Sequence, residues 1–260
     1  MVIDKKYIIL ENRHISGRTW LLRIKAPELV NAPAGSFGMI KTTSDYQFDP
    51  LMRRAFAIAD VEGDEILFFY DVYGRGTANL TTKRVGDYIN LLAPLGKRFF
   101  PEDEFENYVL VGGGIGFAGL SLLMKRLRDK KKNFIALYGV RRKEQLSMLD
   151  WIKENNFKDK TLIYTEDGSF GIKGLITKDL KEIVKDNKKT ALMVCGPKGM
   201  MKAVVKVAKE IGVNTYLSLE SKMACGFGIC IGCVVKNKKT NRYDRVCYEG
   251  PVFNAEEIEI

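Results

Sequence analysis

The sequence predicts a β-barrel plus α/β architecture: a small antiparallel barrel, a parallel α/β sheet, and a compact cysteine-bearing lobe. Three observations carry this. Over residues 1–100, short apolar runs of strand length alternate with turn residues, the spacing of an antiparallel barrel. From residue 108 onward, buried-strand runs alternate with amphipathic helical stretches, the signature of a parallel sheet with crossover helices. Near the C-terminus, four of the five cysteines fall within residues 225–247. The expected units are residues 1–100, 101–214 and 215–260.

In the first unit, strands are expected at 7–10, 19–24, 39–41, 55–59, 66–70 and 88–92. Pro94 and Gly96 should close the barrel, and the polar stretch 101–107 should link it to the second unit. There, a strand at 108–111 runs into Gly112-Gly113-Gly114-Ile115-Gly116 and a helix over 117–127. Further strands are expected at 134–138, 161–164 and 191–194, with a last helix over 198–210. The third unit starts near Thr215. Within it, 234–236 and 242–246 flank the polar stretch 237–241 as a hairpin, which returns Cys247 to the other cysteines.

A chain of 260 residues is long enough for two or three domains. No apolar run reaches transmembrane length and residues 1–10 do not read as a leader, so a reducing cytoplasm is expected. The formal charge is +10, with the densest basic run at 125–132. That run reads as the polar end of a helix. With no stacking aromatics or helix-turn-helix beside it, neither a nucleic acid nor a membrane partner is expected. A basic surface does suit anionic cofactors or an acidic partner. The one histidine, His14, lies in a strand pattern and is given no role.

Cys225, Cys230 and Cys233 have C-x4-C-x2-C spacing, and Cys247 follows after thirteen residues. The first two gaps are those of a plant-type [2Fe–2S] cluster. Gly226, Gly228 and Gly232 let the backbone bend inward and aim N–H groups at anionic sulfurs. A structural zinc favours paired C-x2-C units, of which there is one, and a disulfide framework does not suit a chain without a leader. Cys225, Cys230, Cys233 and Cys247 are therefore the expected iron ligands, in an electron carrier.

Gly112, Gly113, Gly114 and Gly116 follow a strand and precede a helix, where backbone N–H groups can hold a pyrophosphate; the alternative is a tight turn. Cys195-Gly196-Pro197 and Thr165-Glu166-Asp167-Gly168 end later strands, at the carboxyl edge where such sheets bind ligands. Cys195 reads equally as a small buried strand-end residue. Glu166 or Asp167 suits a ribose 2′-OH, which favours NAD over NADP, although Arg141 and Arg142 pull the other way. In the barrel, Arg54 offers a fork for phosphate, and Gly76 and Thr77 offer close backbone and a hydroxyl at a helix start. Arg54 reads equally as a surface ion-pair residue, and the glycines as a turn.

Together these residues resemble the ferredoxin–NAD(P) reductase superfamily. There, Arg-x-Tyr-Ser/Thr and Gly-x-Gly-Thr-x-x-Leu motifs bind FAD, while Gly-Gly-x-x-Gly and Cys-Gly-Pro-x-x-Met frame the nicotinamide nucleotide. This chain has Cys195-Gly196-Pro197-Lys198-Gly199-Met200 in full. Within the superfamily it looks most like the electron-transfer subunits of NAD-dependent dihydroorotate dehydrogenase. Three stretches carry that likeness: 165–174, from Thr165 to Gly174; Glu220-Ser221-Lys222-Met223-Ala224-Cys225-Gly226; and 246–253, from Val246 to Phe253. The resemblance covers essentially the whole chain, in order.

It implies FAD on Arg54, Ala55, Phe56, Ala57, Phe69, Tyr70, Asp71, Gly76 and Thr77. It implies NAD, as substrate, on Gly112, Gly113, Gly114, Gly116, Glu166, Asp167, Cys195, Gly196 and Pro197. It also implies a partner, an FMN-containing catalytic subunit oxidising dihydroorotate in pyrimidine biosynthesis, in a heterotetramer of two copies of each. Electrons would pass from that FMN through [2Fe–2S] and FAD to NAD+, with no proton-transferring catalytic residue required of this chain. The flavin motif departs from the family pattern at Phe56, where Tyr is usual, and at Ala57, where Ser or Thr is usual. Asp71 stands where a basic residue is expected. Two rival readings share the parts: the small subunit of an NADH-dependent ferredoxin–NADP reductase or sulfide dehydrogenase, and a non-catalytic redox-sensing module clipped by metal.

Overall fold

The computed structural model describes residues 1–43 and 46–260. In its first unit, β1 (Ile3–Ser16) and β2 (Thr19–Lys25) form a long hairpin. After them come β3 (Phe37–Lys41), β4 (Arg54–Ala57), β5 (Asp60–Glu62), β6 (Glu65–Asp71), helix α1 (Arg75–Thr81) and β7 (Tyr88–Leu95). The seven strands form one antiparallel sheet of order β4-β3-β7-β1-β2-β6-β5. It curls on itself: edge strand β4 leads directly into edge strand β5, and Phe56 on β4 meets Tyr70 on β6 with ring centroids 5.8 Å apart. The result is a half-barrel. Alternation on β7 buries Ile89, Leu91, Ala93 and Leu95, as a pleated strand with one wet face must.

Of the half-barrel strands, β1 and β7 exceed the expected bounds most. The second half of β1 is polar and largely unburied, so hydropathy did not mark it. Strand β7 runs through Pro94 because its register against β3 shifts there, between the Phe37 and Met39 pairings, where a missing N–H is tolerated. Strand β5 has only three residues, too few for periodicity to show.

The second unit contains β8 (Asn107–Gly113), α2 (Ala118–Asp129), β9 (Asn133–Val140), α3 (Leu149–Glu154), β10 (Thr161–Thr165) and β11 (Ile172–Lys173). It continues with α4 (Leu180–Ile183), β12 (Thr190–Cys195), α5 (Lys198–Ile211) and β13 (Asn214–Ser218). The chain then forms the hairpin β14 (Val234–Lys236) and β15 (Tyr243–Arg245), and returns to the sheet as β16 (Val252–Asn254). The sheet order is β11-β10-β9-β8-β12-β13-β16, parallel except for β16. Asn214–Ser218 and Val252–Asn254, which lie across the expected boundary at 214/215, are thus strands of the second sheet. The cysteine lobe is an excursion between them. Asn237 ties the hairpin turn: its Oδ1 accepts from Lys239 N and Thr240 N, at 3.0 and 3.1 Å.

A buried network joins the half-barrel to the sheet. Asp60, with no exposed surface, pairs with Lys125 Nζ at 2.8 Å and accepts from Trp151 Nε1 at 2.8 Å. Ser121 Oγ donates to Ala59 O at 2.6 Å. The basic run at 125–132 is largely spent on such contacts, with Lys130 reaching Glu102 at 2.9 Å and Asp103 at 2.6 Å. Among the described residues no helix is long and apolar enough to cross a membrane.

Candidate functional site

A cleft of about 440 Å³ opens between the half-barrel and the carboxyl edge of the sheet. Its barrel wall is Arg53 with Arg54, Ala55, Phe56 and Ala57 of β4, then Phe69, Tyr70 and Asp71 from the end of β6, then Tyr73 and Thr77. Its sheet wall is Ile115, Gly116, Ala118, Gly119 and Cys195, and its floor is Glu220, Ser221, Lys222 and Met223. The fold therefore brings eight of the nine expected flavin residues into one cavity, since the curl of the sheet sets edge strand β4 against β6, with the start of α1 beside them. The ninth, Gly76, lies beneath Arg54: an added Cβ would stand 2.7 Å from Arg54 Nε. Glycine there lets the guanidinium lie flat across the start of α1. Arg54 Nη1 donates to Met52 O and to Arg53 O.

The remaining barrel residues are held from behind. Tyr70 OH donates to Asn12 Oδ1 at 2.9 Å, and Asn12 Nδ2 donates to Leu80 O and Lys83 O, both at 2.8 Å. Burial, outweighing that bond, raises the Tyr70 hydroxyl above its usual range. Asp71 accepts from Thr19 Oγ1 at 2.5 Å and Arg18 Nε at 3.1 Å. The Thr77 hydroxyl is engaged locally, accepting from Tyr73 N at 3.0 Å and donating to Gly74 O at 3.1 Å. It shapes the turn, and backbone N–H groups are left for a phosphate.

On the sheet side, β8 ends in Gly112 and Gly113. Gly114–Phe117 is a 3₁₀ turn, and α2 begins at Ala118, one residue after the expected start. Phe117 folds back under the loop: a Cβ on Gly112 would lie 2.6 Å from its ring, which stacks on Tyr138 at 4.4 Å. The loops after β8 and β12 meet through glycine. A Cβ on Gly116 would stand 2.5 Å from Gly196 Cα, and one on Gly113 would stand 2.9 Å from Pro197 Cδ. Cys195 is buried at this contact, its thiol raised by burial and then by the charge of Glu220.

Glu166 and Asp167 lie outside the cleft, beyond β10, which is two strands from β8, about 10 Å. Asp167 Oδ1 accepts from Ser169 N at 3.0 Å and Ser169 Oγ at 2.7 Å. Those bonds, with the Arg142 charge, hold it below the usual carboxylate range.

The four clustered cysteines form two pairs. Cys225 and Cys230 have Sγ atoms 3.4 Å apart, and Cys247 N donates to Cys233 Sγ at 3.4 Å. Among the described residues no group of three or more His, Cys, Asp or Glu side chains converges on a single ion. Two thiol pairs of this kind match the ligand sets of two irons that each take two thiolates. Burial opposes ionisation of Cys225, but the N–H groups of Cys230, Phe227 and Ile229, with the Cys230 thiol, outweigh it and bring the thiol down to about 6. Burial, then the Cys233 thiol and the charges of Cys233 and Cys225, push Cys247 up to about 12.

Sequence reasoning passed over Arg53, Tyr73 and Gly119, and gave Glu220 and Met223 no role in the cleft. Glu220 was visible only as part of a longer motif. In the fold it enters the cleft beside Cys195 and Asp71, and burial followed by the Asp71 charge raises its carboxyl.

A family profile described as the iron-sulfur cluster binding domain of dihydroorotate dehydrogenase B matches residues 220–259, and one described as an oxidoreductase NAD-binding domain matches 110–206. A dihydroorotate dehydrogenase B (NAD(+)) electron transfer subunit homolog of Aquifex aeolicus is 43% identical over 260 residues, covering 99% of both chains. The electron transfer subunit of Clostridium perfringens is 37% identical over 227 residues, 87% of each chain. Among solved structures, an NADH-dependent reduced ferredoxin-NADP oxidoreductase superposes with a TM-score of 0.84 at 29% identity, covering 97% of this chain and 89% of its own. With full-length identity well above the level at which fold alone is shared, and with the cysteine lobe matched by its own profile, this chain belongs to the family of dihydroorotate dehydrogenase B (NAD+) electron transfer subunits.

Proposed function

We propose that this chain carries electrons between an FMN-bearing catalytic subunit that oxidises dihydroorotate and NAD+, in the cytoplasm, in a heterotetramer with two copies of each subunit. One observation carries the reading. A single cleft is lined by the barrel strand Arg54–Ala57, by the glycine loop and Cys195, and by residues 220–223, which run within two residues into Cys225. Sites for a flavin, a nicotinamide and a cluster are thus contiguous along one path.

When bound, FAD exchanges hydrides as well as single electrons, which links a two-electron nicotinamide to a one-electron cluster. Arg54, laid over Gly76, supplies the charged fork for its pyrophosphate. Phe56, Phe69 and Tyr70 give its ring an apolar wall, braced by Asn12. Gly116 and Gly196 let two loops close together so that a nicotinamide can approach the same wall beside Cys195. Cys225 with Cys230, and Cys233 with Cys247, would each hold one iron. Ala57 carries no hydroxyl, so this position would give the flavin no side-chain hydrogen bond. Glu166, whose neighbour Asp167 is already engaged by Ser169, is the carboxylate available to a ribose 2′-OH.

The likeness to the ferredoxin-NADP oxidoreductase leaves the nucleotide to be tested. In stopped-flow mixing, NADH should bleach the flavin of the purified protein at least about tenfold faster than NADPH does, since a 2′-phosphate beside Glu166 loses on the order of 1.4 kcal/mol or more. Equal rates would overturn the NAD assignment.

A further inference from the structure

Tyr248 directly follows the fourth cysteine, and two cations lie over its ring. Lys97 Nζ is 3.7 Å from the ring centroid and Arg245 Cζ is 4.5 Å from it. They come from different units. Lys97 leaves the half-barrel just after β7, and Arg245 ends β15. The backbone fixes this junction: Lys97 N and Arg98 N both donate to Gly250 O, at 2.8 and 3.1 Å. Tyr248 in turn bears on the cysteine loop, where a Cβ on Gly228 would stand 3.0 Å from Tyr248 Cβ. Arg245 Nη1 donates to Gly228 O at 2.8 Å.

The charges are unevenly matched. Arg245 is paired with Glu249, with Nε to Oε2 at 3.0 Å and a second, shorter bond to Oε1. Lys97 is exposed and has no carboxylate partner among the described residues. Two cations on one ring repel each other, and an exposed cation–π contact returns little. An anion beside Cys247 resolves the conflict, and the four thiolates place one there.

We propose that Lys97 and Arg245, clamping Tyr248, are positioning residues for the cluster. Arg245 fixes the cysteine loop, and Lys97 sets the reduction potential from the barrel side. This rests on the reading of Cys225, Cys230, Cys233 and Cys247 as [2Fe–2S] ligands. A cluster becomes one charge more negative on reduction, so a fixed cation nearby favours the reduced state. Because Lys97 belongs to the half-barrel, the potential is tied to how the cysteine lobe seats against the wall of the flavin cleft.

The test is a redox titration of the flavin- and iron-loaded protein, followed by electron paramagnetic resonance, with iron content measured alongside. Lys97→Met should keep its iron and its signal shape while reduction becomes about tenfold less favourable, about 59 mV lower for a one-electron couple. Lys97→Arg should stay within about twofold of the parent, and salt should narrow the Lys97→Met difference, because exposed charges are screened. Arg245→Gln should lose iron faster to a chelator. A Lys97→Met potential within twofold of the parent overturns the electrostatic role, and so does iron loss from that variant. An unchanged chelation rate in Arg245→Gln overturns the loop-fixing role. A parent protein with no [2Fe–2S] signal is a different failure, since it refutes the ligand assignment before any substitution is made.

Discussion

Cys225 and Cys247 are two thiols of one loop system with opposite environments. Backbone N–H groups favour the Cys225 thiolate, whereas burial and neighbouring sulfur charge disfavour the Cys247 thiolate. The thiolate is the reactive form. In iron-free protein, Cys225 should therefore be alkylated first by iodoacetamide, with a rate half-maximal near pH 6, while Cys247 stays unmodified at neutral pH. Mass spectrometry of peptides from a pH series reads this directly, and simultaneous labelling of both would contradict it. In loaded protein, Ala at any of the four ligand positions should remove or destabilise the iron and leave flavin bound, because Arg54 and its neighbours lie on another sheet. Cys195→Ala should keep the iron, since Cys195 packs against Gly119 in the cleft and outside the two cysteine pairs. At this scale the sequence was highly legible. Cysteine spacing is a covalent constraint, and it survives without knowledge of packing. The Asp167–Ser169 bond, which leaves Glu166 as the open carboxylate, was not legible because it depends on the turn between them.

The elements around the cleft were legible as types and less so as limits. In the sequence Gly116 read as part of a phosphate loop or a tight turn, and Gly196 as a strand end; the fold shows a further reason for both, two loops in backbone contact. The join between half-barrel and sheet left no local signal, because Asp60, Lys125 and Trp151 are far apart in the chain and each reads as an ordinary residue of its own strand or helix. Burial holds the Asp60 carboxyl above its usual range, only partly offset by Lys125 and Trp151. Removing Lys125 leaves that carboxylate buried without its cation, which typically costs about 3–5 kcal/mol. Lys125→Met should accordingly unfold at markedly lower urea concentration at pH 7. The pH dependence has a definite sign. A group whose pKa is raised on folding favours the native state below its unfolded pKa, and that contribution is lost as pH rises through the folded value. Loss of Lys125 raises the Asp60 value further, so the penalty should shrink on going from pH 7 to pH 5. A penalty that grows instead would show that Asp60 is not the group responsible.

For the whole molecule, a half-barrel, a nucleotide sheet and a cysteine lobe account for the chain, and the cysteine lobe leaves apolar surface uncovered. Phe227, Ile229 and Ile231 are 44%, 74% and 64% exposed, beside Cys225, Cys230 and Cys233. Ile231 also holds a φ of 54°, a conformation rare for a β-branched side chain. The FMN-bearing subunit of the proposed function is the occupant we propose for this face, since burial there would give electrons a short, dry path to the cluster. Abstraction of a proton from dihydroorotate needs a titratable group beside the reacting carbon, and the proposed function assigns that work to the partner. The isolated protein should pass electrons from NADH to artificial acceptors without oxidising dihydroorotate. Adding the FMN-bearing subunit should create NAD+-linked dihydroorotate oxidation. Phe227→Lys and Ile229→Glu should each weaken assembly by at least about tenfold, ~1.4 kcal/mol or more, as measured by analytical ultracentrifugation, while NADH-to-dye turnover is unchanged. Dihydroorotate oxidation by the isolated chain would refute this division of labour, and full-strength assembly of both variants would move the docking face away from the cysteine loop.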